Sequence, residues 1–264
     1  MLQVNPFSEI ATTLPPVFMK AFVVIMILSV LISTLLDMAH KKNAKYFFIN
    51  LKKSKEAAKR KINVSKKASI IAKTVASDIM TTAELGAGQR RVAHLLGMYG
   101  SILFWITSCI MIFGFSNPAI ETPSLFPILW HIGAIMTCLG GYWFWFFLRV
   151  DVSAEGHSWK RIIRADLFVL SLVTASTFGL AWSFTQSSDL MALSSLFFIL
   201  FVLSNIMLFG GVYWSKFAHM FYKPGAALQK NLSEEDGSRD WLPEPSTKPK
   251  KFGLGIKRES ARHY

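Results

Sequence analysis

The stretch 191–214 reads M-A-L-S-S-L-F-F-I-L-F-V-L-S-N-I-M-L-F-G-G-V-Y-W and contains no Lys, Arg, Asp or Glu. A helix needs roughly twenty consecutive apolar residues to cross the hydrocarbon core of a bilayer. Membrane-spanning β-strands would instead alternate apolar and polar residues over short segments. This stretch does not alternate, so it predicts a transmembrane helix.

Four other runs have the same character, and the chain is 52% hydrophobic and only 17% charged. The sequence therefore predicts an all-α integral membrane bundle of five transmembrane helices, with spans at 17–37, 92–115, 125–148, 167–186 and 191–214. The first span is expected to be an uncleaved anchor, because no Lys or Arg precedes it and H-K-K-N-A-K follows it. The predicted parts are an outer N-terminal segment 1–16, the first helix 17–37, a basic, partly helical segment 38–91, the four-helix remainder of the bundle 92–223 and a flexible tail 224–264.

Basic residues are distributed unequally between the two sides that five spans define. Of the 29 Lys and Arg residues, only Lys20 lies on the side of the N-terminus. The others fall in segment 38–91, in loop 149–166 or after residue 215. Because Lys and Arg accumulate in cytoplasmic loops, the N-terminus is expected outside and the C-terminus in the cytoplasm. The span cores contain no Lys, Arg, Asp or Glu, which argues against a pump or a carrier of charged substrates.

Two histidines lie at the predicted cytoplasmic ends of spans. His94 opens the second span in R-R-V-A-H-L-L-G, and His219 closes the fifth in S-K-F-A-H-M-F-Y-K-P. These two spans run in opposite directions, so both imidazoles are expected at a similar depth. Such a pair could ligate the iron of a b-type haem. The residue pattern alone leaves open a second interpretation, in which both are interfacial histidines bonded to water or backbone.

Basic residues at the same depth could pair with the anionic propionates of such a haem. The candidates are Arg90, Arg91 and Lys216, with Arg161 and Arg164 nearby.

The motif around His219 resembles the end of the last helix in the nitrate reductase gamma-subunit superfamily, which includes membrane subunits of heterodisulfide reductase-type complexes. The five-span plan is also similar to that of this superfamily. Within it, the chain most resembles the membrane anchors associated with adenylylsulfate (APS) reductase in sulfur-oxidising bacteria. The resemblance implies that His94 and His219 are the ligands of one haem b, nearest the cytoplasmic partner. It also implies a location in the bacterial inner (cytoplasmic) membrane.

The sequence departs from the two-haem members of that superfamily, which carry a second ligand pair deeper in the same helices. At that depth this chain has Phe104 and Trp105 in the second span and Phe201 in the fifth. A second haem is therefore not expected. His131, in the third span, is predicted to be a hydrogen-bonded interfacial histidine beside Trp130 rather than a ligand or quinone contact.

The resemblance implies electron transfer from a cytoplasmic flavin and iron–sulfur enzyme, APS reductase, to quinone. The chain would be a non-catalytic or a quinone-reducing subunit. Its expected partners are that enzyme, membrane lipids and quinone, and not nucleic acid. Candidates for a quinone contact by residue type alone are Tyr99, Tyr142, Trp143 and Trp145. Cys109 and Cys138 lie inside spans and are expected to be packing residues, since no thiolate cluster is present.

The basic segment 38–91 allows two interpretations. A helix within it could lie on anionic lipid, or it could dock an acidic soluble partner by charge complementarity. A haem-free scaffold that only anchors the soluble enzyme is the alternative function. A small-molecule transporter or channel is disfavoured by the uncharged span cores and the lack of visible repeats.

Overall fold

The computed structural model describes residues 2–85, 88–149, 160–215, 219–239, 251–252 and 256–257. The described residues are predominantly helical. The helices are α1 (Pro6–Ile10), α2 (Pro16–Lys41), α3 (Asn43–Glu56), α4 (Val64–Lys73), α5 (Gln89–Gly114), α6 (Leu125–Trp143), α7 (Leu167–Ser187), α8 (Met191–Gly210) and α9 (His219–Asp236). Strands β1 (Lys251–Phe252) and β2 (Ile256–Lys257) pair in antiparallel fashion.

Within the described residues, five helices are long and apolar enough to cross a membrane, which confirms the predicted number. They are α2, α5, α6 with the π-helical turn Phe144–Leu148 that continues it, α7 and α8. The first apolar helix, α2, begins at Pro16, where the fixed φ of proline suits the first helical position. It ends before Lys42, whose positive φ of 53° stops the helix.

The fifth apolar helix is shorter than predicted. Helix α8 ends at Gly210, and residues 211–214 form turns. Two consecutive glycines, Gly210 and Gly211, have low helix propensity and favour a break at this point. His219 therefore does not lie on the last apolar helix, as the pattern predicted, but begins α9. The segment 224–264, predicted to be flexible, starts inside α9, which continues to Asp236.

The chain forms two compact units. The first unit contains residues 2–37, 89–149 and 160–215 of the described chain, and so includes α1, most of α2 and helices α5–α8. Within it, α5 packs on α6, α6 on α7 and α7 on α8. Neighbours in sequence among these four helices are therefore also neighbours in space.

Small residues bring α5 and α6 into backbone contact. A Cβ atom added at Gly133 would lie 2.7 Å from the backbone nitrogen of Phe104 and 2.8 Å from the carbonyl oxygen of Gly100. A Cβ atom at Gly100 would lie 2.6 Å from the nitrogen of Thr137. Such close approach is typical of membrane helix pairs, in which packing of small residues drives association.

An aromatic core lies between α5, α6, α7 and α8. Phe104 and Trp130 have ring centroids 4.9 Å apart, and Trp182 and Phe201 are stacked at 5.6 Å. Phe7 on α1 meets the rings of Trp130 and Trp182 edge-on. Helix α1 thereby covers one end of the helix bundle.

The second unit contains described residues 38–85, 88 and 219–239, together with the two short strands. Helix α9 packs against α4 and against the π-helical turn Thr74–Met80 that continues α4. The contact is polar: the Asn231 side-chain amide donates to the Thr74 hydroxyl at 2.8 Å and to the Asp78 carboxylate at 2.7 Å. Two segments that are distant in sequence thus form one helical unit.

Candidate functional site

His94 lies in the second turn of α5, and its side chain is half-buried. Its Nδ1 atom is inaccessible to solvent. The preceding residue, Ala93, is held against α6, because a Cβ atom at Gly140 would lie 2.5 Å from the Ala93 carbonyl oxygen. One turn further along α5, a Cβ atom at Gly97 would meet no heavy atom within 4 Å. His94 therefore stands on a helix that is held against α6, and the surface of this helix is open at the Cβ position of Gly97.

The other predicted ligand, His219, begins α9 in the second unit, while His94 belongs to the first. The His219 side chain is outside the described residues, and so is Lys216. The two remaining propionate candidates, Arg90 and Arg91, are half-buried in the first turn of α5. The ligation of haem by His94 and His219 stays a prediction.

Around Phe104 and Phe201, the interior of the bundle is filled by aromatic rings. Phe104 and Phe201 face each other edge to face with centroids 6.2 Å apart. Both are buried, together with Trp130 and Trp182. Offset and edge-on aromatic contacts of this kind stabilise a core beyond the area they bury.

His131 is only 1% exposed and is engaged at both ring nitrogens. Nδ1 lies 2.7 Å from the Pro127 carbonyl oxygen, and Nε2 lies 2.9 Å from the Ser183 hydroxyl. A carbonyl only accepts, so Nδ1 carries the proton, and in the neutral ring the Ser183 hydroxyl donates to Nε2. The ring meets Trp130 edge-on at 4.9 Å. The predicted hydrogen bonding of His131 and its contact with Trp130 are confirmed, and its interfacial position stays a prediction.

The four candidate quinone contacts have different surroundings. The Tyr142 hydroxyl lies 2.8 Å from the Thr177 hydroxyl. Thr177 donates to the carbonyl oxygen of Val173, so Tyr142 is the donor of the pair. Trp145 is buried, Trp143 is half-buried and Tyr99 is exposed. The four do not form one cluster by their described contacts, and none is assigned as a quinone ligand.

Sequence reasoning missed a buried ion pair where α6 ends and α7 begins. The Arg149 and Asp166 side chains are 8% and 13% exposed and form a two-pronged salt bridge, with Nε donating to one carboxylate oxygen at 3.2 Å. The Arg149 guanidinium also donates to the Arg161 carbonyl oxygen at 2.6 Å and lies 4.0 Å from the Trp145 ring centroid. The feature of the sequence that could have indicated this ion pair is the position of one Arg and one Asp at the edges of adjacent apolar runs.

The described residues contain no group of three or more His, Cys, Asp or Glu side chains that could hold a metal ion. Cys109 and Cys138 are half-buried thiols. Outside the spans, burial raises the pKa of the Glu9 carboxyl on α1 above its ordinary value, and the Asp189 carboxylate raises this pKa further.

The second unit presents a basic surface. The exposed cations of α3, of α4 and of the segment between them are Lys45, Lys52, Lys53, Lys55, Lys59, Arg60, Lys61, Lys66, Lys67 and Lys73. Among the described residues, two carboxylates pair with these cations: Glu56 lies 3.9 Å from Lys52, and Glu235 of α9 lies 3.5 Å from Lys66. Both of these pairs are exposed, so each contributes little to stability.

Five apolar helices and a polar helical unit define the chain as a multi-pass membrane protein. Comparison with models of protein families, with curated proteins and with solved structures gives no match.

Proposed function

We propose that this protein is the membrane subunit of a bacterial redox complex, with its N-terminus outside and its C-terminus in the cytoplasm. In this proposal it holds one b-type haem through His94 and His219. It carries electrons from a cytoplasmic flavin and iron–sulfur enzyme, APS reductase, to the quinone pool of the cytoplasmic membrane. The chemistry on the sulfur compound belongs to the soluble partner.

The observation that carries the proposal is the setting of His94. The imidazole is half-buried on α5, with Arg90 and Arg91 one turn before it and open space at Gly97 one turn after it. These features fit a flat group with an apolar ring and an anionic edge. A haem with two imidazole ligands supplies one-electron transfer. His94 would hold the iron, while Arg90 and Arg91 would balance the propionates.

A single haem agrees with the packing of the bundle. A second haem between α5 and α8 would have to displace Phe104 and Phe201, which are buried against Trp130 and Trp182. Displacing these four packed rings would lose the stabilising free energy of their mutual contacts. The proposed stoichiometry is therefore one haem per chain.

The decisive test is the haem content of purified variants. We expect the wild-type protein, produced with adequate haem supply, to show sharp b-type bands in a dithionite-reduced minus oxidised spectrum. Pyridine-haemochrome analysis should give about one haem per chain. His94→Ala and His219→Ala should each lose the haem, because a single imidazole leaves the iron without its second axial ligand.

His40→Ala is the matched control, because His40 is an exposed histidine on α2 that the proposal does not use. This variant should retain full haem. Size-exclusion profiles and membrane yields should be equal for all variants, which separates ligand loss from misfolding. Full haem in His219→Ala, or no haem in the wild-type protein, would contradict the proposed ligation.

The second candidate function is a haem-free scaffold that docks the soluble enzyme. The basic surface of the second unit favours it, because that surface is built on folded helices. We expect Lys52→Gln/Lys53→Gln/Lys55→Gln to weaken binding of purified APS reductase to the protein in nanodiscs about ten-fold at low salt, with a shallower salt dependence. Biolayer interferometry over a salt series would measure this.

Lys248→Gln/Lys250→Gln/Lys251→Gln removes the same charge from the C-terminal segment and should bind as the wild type does. Equal binding by the α3 variant would show that this surface does not dock the enzyme. Binding by protein that contains no haem would favour the scaffold over the electron conduit.

A further inference from the structure

The segment between the third and fourth apolar helices combines exposed apolar and exposed basic side chains. Ile162 and Ile163 are 60% and 48% exposed. They are flanked by Lys160, Arg161 and Arg164, whose side chains are also exposed. Two adjacent β-branched residues in water lose the benefit of burial, which is about 25 cal/mol per Å² of apolar surface.

The conformation of this segment is fixed by the buried ion pair. The Arg149 guanidinium donates to the Arg161 carbonyl oxygen at 2.6 Å. The Asp166 carboxylate accepts from the backbone nitrogen of Ile163 at 2.9 Å. Because Arg149 and Asp166 neutralise each other, this pair adds no net charge, and within residues 160–164 the exposed side chains of Lys160, Arg161 and Arg164 carry three positive charges.

The segment also lies at a membrane boundary. It directly precedes α7, while the π-helical turn before Arg149 ends α6. That turn carries Phe146 and Phe147, which are exposed, and Trp145, which stacks on Arg149. Aromatic residues are enriched where a span meets the headgroup layer. Chain topology therefore places Ile162 and Ile163 beside lipid rather than in bulk water.

We propose that residues 160–164 form a binding site for an anionic phospholipid. Ile162 and Ile163 enter the boundary between acyl chains and headgroups, and Lys160, Arg161 and Arg164 hold the phosphate of the headgroup. Charge complementarity selects an anionic headgroup, and the isoleucine pair selects a lipid over a soluble phosphate. An acidic protein is the less fitting occupant, because it would leave the two isoleucines unburied. The inference does not depend on the proposed haem.

The test is site-specific photo-crosslinking in nanodiscs of phosphatidylethanolamine and phosphatidylglycerol at a 3:1 ratio. A benzophenone-bearing amino acid is placed at Ile162, and the crosslinked lipid is identified by mass spectrometry. We expect phosphatidylglycerol to be enriched about ten-fold over its bulk share, since each basic residue near a surface contributes severalfold to the attraction of an anionic lipid. The same probe at Ile199, exposed on α8, should report the bulk ratio.

Charge variants complete the test. Lys160→Gln/Arg161→Gln/Arg164→Gln should return the lipid captured at Ile162 to the bulk ratio, and inorganic phosphate should not compete in the wild type. The C-terminal control Lys248→Gln/Lys250→Gln/Lys251→Gln should keep the enrichment. Bulk-ratio capture in the wild type, unchanged enrichment in the charge variant, or absence of lipid at Ile162 would overturn the proposal. Crosslinking to an added acidic protein partner in place of lipid would also overturn it.

Discussion

Replacement of Gly133 by leucine is expected to prevent stable assembly of the membrane helices, and replacement by alanine to destabilise them measurably. A Cβ atom at Gly133 would lie 2.7 Å from the Phe104 nitrogen and 2.8 Å from the Gly100 carbonyl oxygen. Both neighbours are backbone atoms of α5, so relief requires the helices to separate rather than a side chain to turn. We expect Gly133→Ala to lower the free energy of unfolding by about 1–3 kcal/mol, as overpacked cores do. Gly133→Leu should give little folded protein.

Gly97→Ala is the matched control, because Gly97 lies on α5, close to the same helix interface, and a Cβ atom there meets no heavy atom within 4 Å. Alanine has the higher helix propensity, so this variant should be as stable as the wild type or slightly more stable. Unfolding by a sodium dodecyl sulfate titration, followed by circular dichroism, compares the variants. Equal stability of Gly133→Ala and Gly97→Ala would show that α5 and α6 are not in backbone contact.

The five apolar helices were predictable because the length of an apolar run fixes whether a helix can cross a membrane. Their boundaries were less predictable, since polar residues extend helices beyond the apolar run. Helix α5 starts at Gln89, before the run predicted to begin at residue 92. Helix α8 ends at Gly210 because a glycine pair outweighed the apolar residues that follow.

The polar contacts could not be predicted from local pattern. Asn231 meets Asp78 across 153 residues, and His131 meets Ser183 across 52 residues. No periodicity records such pairs, because each depends on how whole helices pack. The same reason explains the separation of His94 and His219 into different units, since the pattern assigned both to apolar helices. By contrast, the presence of Phe104 and Phe201 at the deeper positions could be read directly, and the structure adds that their rings are in contact.

Asp166→Asn is expected to destabilise the first unit strongly. Asparagine keeps the shape and one acceptor of the carboxylate but removes its charge. The Arg149 guanidinium would remain buried beside Trp145 and would face a neutral amide in place of a carboxylate. Removing one partner of a buried ion pair costs about 3–5 kcal/mol, because the remaining charge is uncompensated. Thermal unfolding monitored with a thiol-reactive fluorophore can use the two half-buried cysteines as reporters.

A double variant without charge separates the ion pair from the packing around it. Arg149→Met/Asp166→Leu removes both charges and keeps apolar volume, so it should recover most of the stability lost in Asp166→Asn. Glu121→Gln, which neutralises an exposed carboxylate in the loop between α5 and α6, should change the melting temperature little. If Asp166→Asn and Glu121→Gln had the same melting temperature, solvent would have to compensate the Arg149 charge. The ion pair would then not fix the conformation of residues 160–166. If the double variant recovers stability but shows no lipid enrichment at Ile162, the ion pair would have a second role. It would then hold the Arg161 carbonyl and the Ile163 nitrogen in the geometry that aims the basic residues at the headgroup.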